Sequence, residues 1–88
     1  MQEVSSSYKM KLTIISLKGI EYDSEAISLN LKTTSGEITV LDNHRPLLTQ
    51  LITGQAIITK KDGEKFNFNI VSGFLEVGSG NTVSLLVN

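Results

Sequence analysis

The chain has 88 residues, 40% of them hydrophobic, with no cysteine, one histidine and one proline. That is one domain with a thin core, since a chain this short buries only about two-thirds of its unfolded surface. Eight basic against nine acidic residues give a net charge of −1, which leaves no electrostatic footprint for nucleic acid or an anionic membrane surface. Without thiols there are no disulfides, which fits a reducing compartment, and one imidazole cannot build a closed zinc site.

Taken in order, the chain opens with MQEVSSSYK. This stretch lacks the basic and apolar regions of a signal peptide and reads as a flexible polar leader over 1–9, followed by a single domain over 10–88. No apolar run approaches the roughly 20 residues of a membrane-spanning helix. From Met10 the periodicity is two. Met10, Leu12 and Ile14 alternate with Lys11, Thr13 and Ile15, and Ile27, Leu29 and Leu31 alternate with Ser28, Asn30 and Lys32. Phe66, Phe68 and Ile70, then Val83, Leu85 and Val87, repeat the pattern. Each run predicts a strand with one buried and one wetter face, and the phenylalanines are assigned to the core.

Turn chemistry separates the runs. Lys61-Asp62-Gly63-Glu64 is the strongest hairpin signal. Ser35-Gly36, Thr53-Gly54 and Gly78-Ser79-Gly80-Asn81 mark other turns. A rival helical reading exists only for PLLTQLI, bounded by Pro46 and Gly54. The prediction is an all-β flattened sandwich or barrel of about nine to ten mostly antiparallel short strands.

Catalytic chemistry finds little support. Gly78-Ser79-Gly80 precedes a strand, whereas a dinucleotide loop needs a third glycine and a helix N-terminus. Ser72-Gly73 lacks the frame of a nucleophile elbow. Asp42 and His44 could form an acid–base pair only if their loop folds back, and the simpler reading is a histidine that shapes a turn or faces a partner. Asp23, Asp42 and Asp62 fall where turns are expected, and the aromatics do not interleave with basic residues. No cofactor, no metal and no enzymatic activity are predicted.

The stretch SGEITVLDNHRPLLTQL and the later IVSGFLEVGSGNTVSLLV point elsewhere. Together with the opening MKLTIIS they resemble the N-terminal β-sandwich domain of the epsilon subunit of the F-type ATP synthase, over Met10 to Asn88. The family's glycine-glutamate motif corresponds to Gly36-Glu37, its His-Ala-Pro-Leu-Leu-Thr to HRPLLT, and its Ser-Gly-Gly-Phe-Leu-Glu-Val to VSGFLEV. Departures are Ile38-Thr39 for Phe-Gly, Asp42-Asn43 for Pro-Gly, Arg45 for a small residue, Ser72 for the first of two glycines, and Ser16-Leu17-Lys18-Gly19 at an early prolyl turn. Family members commonly continue into a C-terminal helical hairpin, and with the resemblance ending at Asn88 neither inhibition by that hairpin nor its nucleotide site carries over.

The resemblance implies a non-catalytic rotor subunit that packs against gamma and sits on the ring of c subunits. Such a protein is peripheral to the membrane, on the cytoplasmic face or its organellar equivalent, without insertion into it. Ser16, His44 and Thr49 match gamma-facing positions and Glu37 matches a glutamate facing the ring. Each is also readable as an ordinary half-exposed strand or turn residue. The alternative from another class is a free-standing sandwich that binds a ligand or protein, which predicts a concave apolar pocket.

Overall fold

The computed structural model describes residues 9–88. These form nine strands: β1 (Met10–Ser16), β2 (Gly19–Ala26), β3 (Ser28–Thr33), β4 (Gly36–Leu41), β5 (Leu47–Leu51), β6 (Gly54–Thr59), β7 (Lys65–Ile70), β8 (Gly73–Gly78) and β9 (Thr82–Val87). Of the leader assigned to 1–9, residues 1–8 lie outside the described residues. PLLTQLI is strand rather than helix: β5 pairs with β8 from Leu47↔Val77 to Leu51↔Gly73. Sheet pairing overrides the short helical spacing of its leucines.

All nine strands belong to one sheet that curls into two layers. The first layer runs β2-β1-β9-β8-β5 and the second β4-β3-β6-β7. One edge of β3 divides between them, pairing with β6 over Ser28–Asn30 and with β5 at Thr33↔Leu51. The pairings are antiparallel except β1 with β9, which run parallel from Lys11↔Thr82 to Ile15↔Leu86. The first and last strands are thus neighbours.

Alternation places the core between the layers. Leu12 and Ile14 of β1, Leu75 and Val77 of β8 and Val83 and Leu85 of β9 meet Leu29 and Leu31 of β3, Val40 of β4 and Ile58 of β6 in one cluster. Phe66 and Phe68 are half-buried against it, as the periodicity predicts. Phe74 is not, and its outward position is taken up below. The buried Thr33 hydroxyl donates to the Gly36 carbonyl at 2.8 Å and accepts from the Ser35 N–H at 3.0 Å, so the β3–β4 turn is satisfied from inside.

The β6–β7 hairpin follows the Asp-Gly signal with one refinement. Only Gly63 takes a positive φ, 91°; the Gly63 N–H donates to Lys60 O at 2.9 Å and the Lys60 N–H to Glu64 O at 2.8 Å. This is a three-residue loop with glycine at its left-handed position rather than a two-residue turn. Far from the β3–β5 joint, the edges β2 and β7 are bridged by Tyr22 stacked on Phe66, centroids 5.5 Å apart, with the Lys60 ammonium 6.0 Å from the Phe66 centroid. Burial pushes the Tyr22 phenol above the ordinary tyrosine range; the Ser24 hydroxyl offsets part of this and the Asp62 carboxylate adds to it.

Two expectations follow. A Cβ at Gly73 would lie 2.2 Å from the Leu86 carbonyl oxygen, and its φ is +153°. Gly73→Ala should therefore lower stability by about 2–4 kcal/mol, strain and clash combined, in urea titration. Because the folded state holds the Tyr22 proton more tightly than the unfolded state, stability is fully present below the ordinary tyrosine range and declines as pH rises through and above it. The decline measured by chemical denaturation should be smaller in Tyr22→Phe.

Candidate functional site

The sandwich has two ends. One carries Lys9, the 42–46 loop, the 60–64 turn and the 79–81 turn; the other carries the 17–18, 34–35, 52–53 and 71–72 turns and Asn88. Sequence candidates fall at both. His44 lies at the first end. Ser16 and Glu37 lie near the second, Ser16 closing β1 opposite Gly19 and Glu37 following the β3–β4 turn opposite Lys32. Thr49 sits in the middle of β5, opposite Leu75, half-buried on the inner side with Leu47 and Leu51. The four candidates do not form one patch.

The His44 loop is held by side-chain amides. The His44 N–H donates to Leu41 O at 3.1 Å, closing a turn whose third residue, Asn43, has φ 60°. Asparagine tolerates this left-handed conformation better than other non-glycine residues. The imidazole Nδ1–H donates to the Arg45 carbonyl at 2.7 Å, since a carbonyl can only accept. Asp42 does not orient that ring: its carboxylate accepts from the Asn81 and Asn43 amides. Ser72, at the other end, donates to Asn88 Oδ1 at 3.0 Å. Imidazole, carboxylate and hydroxyl therefore have separate partners, and the loop reading of His44 is the one the geometry supports.

The outer face of the first layer offers a different kind of site. Register sets Ile20 beside Ile15, Ile15 beside Leu86, and Leu86 beside Phe74, one row across β2, β1, β9 and β8. Their exposures are 65%, 38%, 52% and 51%, and Leu48 of β5 adds a further apolar side chain at 72%. Leu17, Ile52 and Val71 expose more apolar surface at the same end of the sandwich. Ile20 reaches this face because of a register shift between Ile14 and Ile15: Ile14 pairs with Tyr22, Ile15 with Ile20, and Glu21 is left over. A bulge of this kind re-aims the side chains beyond it. Strict alternation from inward Tyr22 would have buried Ile20.

Sequence reasoning placed Phe74 in the core on its apolarity alone. The usable signal was its phase: in GFLEV, Phe74 shares a face with Glu76, opposite to Leu75 and Val77. Ile20 had no such signal, since the bulge is invisible to a period of two. Asn81 was legible only as a turn residue, although its side chain reaches the 42–46 loop.

Two clefts accompany these surfaces. One of 310 Å³ is lined by Tyr22, Ser24, Glu25, Lys60, Lys61 and Asp62, and another of 360 Å³ by Ser16, Leu17, Lys18, Glu21, Phe68 and Asn88. Charged side chains line both, unlike the mainly apolar cavity of a small-molecule site.

The family model for the ATP synthase delta/epsilon chain β-sandwich domain matches residues 9–88. The chain belongs to this family. Relatives include an ATP synthase epsilon chain of Dichelobacter nodosus, 33% identical over 79 residues, covering 90% of this chain and 55% of the relative. Another, from Clostridium novyi, is 37% identical over 76 residues, covering 85% and 57% respectively. The chain thus spans little more than half the length of these epsilon chains. In fold it is similar to a chain of the Euglena gracilis mitochondrial ATP synthase, in an OSCP/F1/c-ring structure, with TM-score 0.86 and 22% identity over 91% of this chain and 51% of that one. A chain of the Tetrahymena thermophila mitochondrial ATP synthase central stalk and c-ring gives TM-score 0.76 at 19% identity, over 90% and 63%. The delta/epsilon sandwich is thus present here over the whole described region.

If the outer row is surface rather than core, neighbours in β9 should respond differently to truncation. Leu85→Ala, at 0% exposure, should cost about 2–5 kcal/mol in urea titration. Leu86→Ala should stay within about 1 kcal/mol of the parent.

Proposed function

We propose that this chain is a non-catalytic rotor component of an F-type ATP synthase. In this reading it docks on the gamma subunit through the outer face of β2-β1-β9-β8 and presents its Glu37 end to the ring of c subunits. Proton-driven rotation of the ring then passes through the sandwich to the shaft. The observation that carries the reading is the row Ile20–Ile15–Leu86–Phe74, four large apolar side chains on neighbouring strands with no cover from the described residues. Rows of this kind in a soluble domain are protein-interaction surfaces.

Family membership supplies the partner class, and the assemblies in which the structural neighbours were solved agree with it. Torque transmission asks for a stiff body with complementary surfaces rather than reactive groups. A two-layer core in which no buried side-chain polar atom among the described residues lacks a partner meets that need. Ser16 adjoins the row, while His44 lies at the far end. A gamma surface touching both runs the length of the strands, and Thr49, half-buried on the inner side of β5, stands outside it. Glu37, exposed beyond the β3–β4 turn, is placed to pair with a basic loop of the ring and fix register more than affinity. Among the described residues no helix is long and apolar enough to cross a membrane; the reading places the chain peripherally, on the face that carries the catalytic sector.

The test is co-elution with a gamma-containing catalytic complex in size-exclusion chromatography, with ATPase assayed on the shared fraction. Co-elution is expected, and Phe74→Glu with Leu86→Glu should weaken binding about 30-fold or more, the scale of a central interface residue, without lowering the unfolding midpoint. Failure of the folded parent chain to bind at micromolar concentration overturns the rotor reading.

A further inference from the structure

Asn81 joins three parts of the chain that are distant in sequence. Its Nδ2 donates one hydrogen to the Lys9 carbonyl at 2.6 Å and the other to the Asp42 carboxylate, and its Oδ1 accepts the Asn43 N–H at 2.8 Å. Both amide hydrogens and the carbonyl of a single side chain are engaged, which fixes the orientation of the amide without ambiguity. Its own backbone carbonyl accepts the Lys11 N–H at 3.0 Å, so the β8–β9 turn is also tied to the start of β1. Asn43 returns the contact by donating its Nδ2 to Asp42 at 3.1 Å. Asn43 and Asn81 share left-handed backbones, φ 60° and 62°.

The loop that Asn81 grips has few other anchors. Leu41 and the residues Asn43, Arg45 and Pro46 are exposed. The loop's internal bonds are the Leu41–His44 turn, the His44–Arg45 contact and the Asn43–Asp42 side-chain bond. Its ends are fixed in β4, where Leu41 pairs with Ser28, and in β5. Between them, among the described residues, the Asn81 amide makes the side-chain hydrogen bonds that tie the loop to another part of the sandwich, so the angle of its tip leans on that one amide.

We infer that Asn81 is the positioning residue of the 41–46 loop, holding His44 and Arg45 at a set angle for a protein partner. It does not touch that partner; it acts by removing loop motion that docking would otherwise have to freeze out. Ordering a loop in advance lowers the cost of association without adding a contact. The inference rests on the docking reading proposed above, and it assigns to the GSGN turn a task beyond closing a hairpin.

Asn81→Gly tests the side chain without backbone strain, because glycine adopts φ +62° freely. In the 15N-labelled chain, the variant should keep the parent's spectrum across the strands, while resonances of 41–46 and of Lys9 shift or broaden. Binding to the gamma-containing complex should weaken about ten-fold, the order expected when one or two net hydrogen bonds no longer preorganise a binding loop. Asn81→Asp sets two carboxylates face to face and should bind at least as poorly. Adding Asp42→Asn restores the bridge with donor and acceptor exchanged, and should recover part of the loss. Parent binding together with an Asn81→Gly chain that binds equally overturns the positioning role while leaving the docking reading intact. A parent chain that does not bind overturns the docking reading and this inference with it.

Discussion

The parallel pairing of β1 with β9 is the contact on which the rest of the sandwich depends. Without it the β1–β2 hairpin is left with only the Asn81 bonds to Lys9 and Lys11 as its hydrogen-bonded link to the first layer. Leu12 and Ile14 lose one wall of their environment, and the outer apolar row is cut between Ile15 and Leu86. The pairing joins strands at opposite ends of the domain sequence, so its chain-closure cost falls near the maximum for this length. Local hairpins such as β6–β7 and β8–β9 can form from neighbouring residues, but the layer that carries the docking row is complete only when the last strand meets the first. Ordering of the core and completion of the surface are one event.

Much of this fold was legible because the code for a half-buried strand is short. Alternation in MKLTIIS, KFNFNI and TVSLLV needs no knowledge of what lies opposite, and the structure buries the phase the pattern selects. PLLTQLI was ambiguous for the same reason in reverse: over a few residues leucines satisfy either period, and only β8 alongside decides. The parallel pair was not legible at all. Nothing in either strand names its partner, and hairpin chemistry announces antiparallel neighbours only.

The functional surface was less legible, and the reasons differ by residue. His44 and Pro46 stood out through rarity, which drew attention to their loop without showing what holds it. Phe74 was hidden by a habit of assigning aromatics to the interior, although its phase with Glu76 pointed outward. Asn81 was hidden more deeply, because a turn asparagine is explained by its backbone alone and its side-chain partners lie 38, 39 and 72 residues away in sequence. Ion pairs contributed nothing to the reading: Lys9–Glu25 and Lys11–Asp23, each at 3.4 Å, are surface pairs of small energetic weight.

The bulge at Glu21 gives the β1–β2 hairpin an unusual kind of specification. Ile20 and Tyr22 are both apolar-bodied and stand two apart, yet one faces solvent and the other stacks inward on Phe66. What distinguishes them is a single surplus residue, not hydrophobicity. Composition in this hairpin can drift while its length cannot: losing one residue would trade the outward and inward identities of everything distal to it. Among descendants of such a sequence, insertions and deletions here should be rarer than substitutions, and the hairpin acts as a ruler whose reading is taken in residue count.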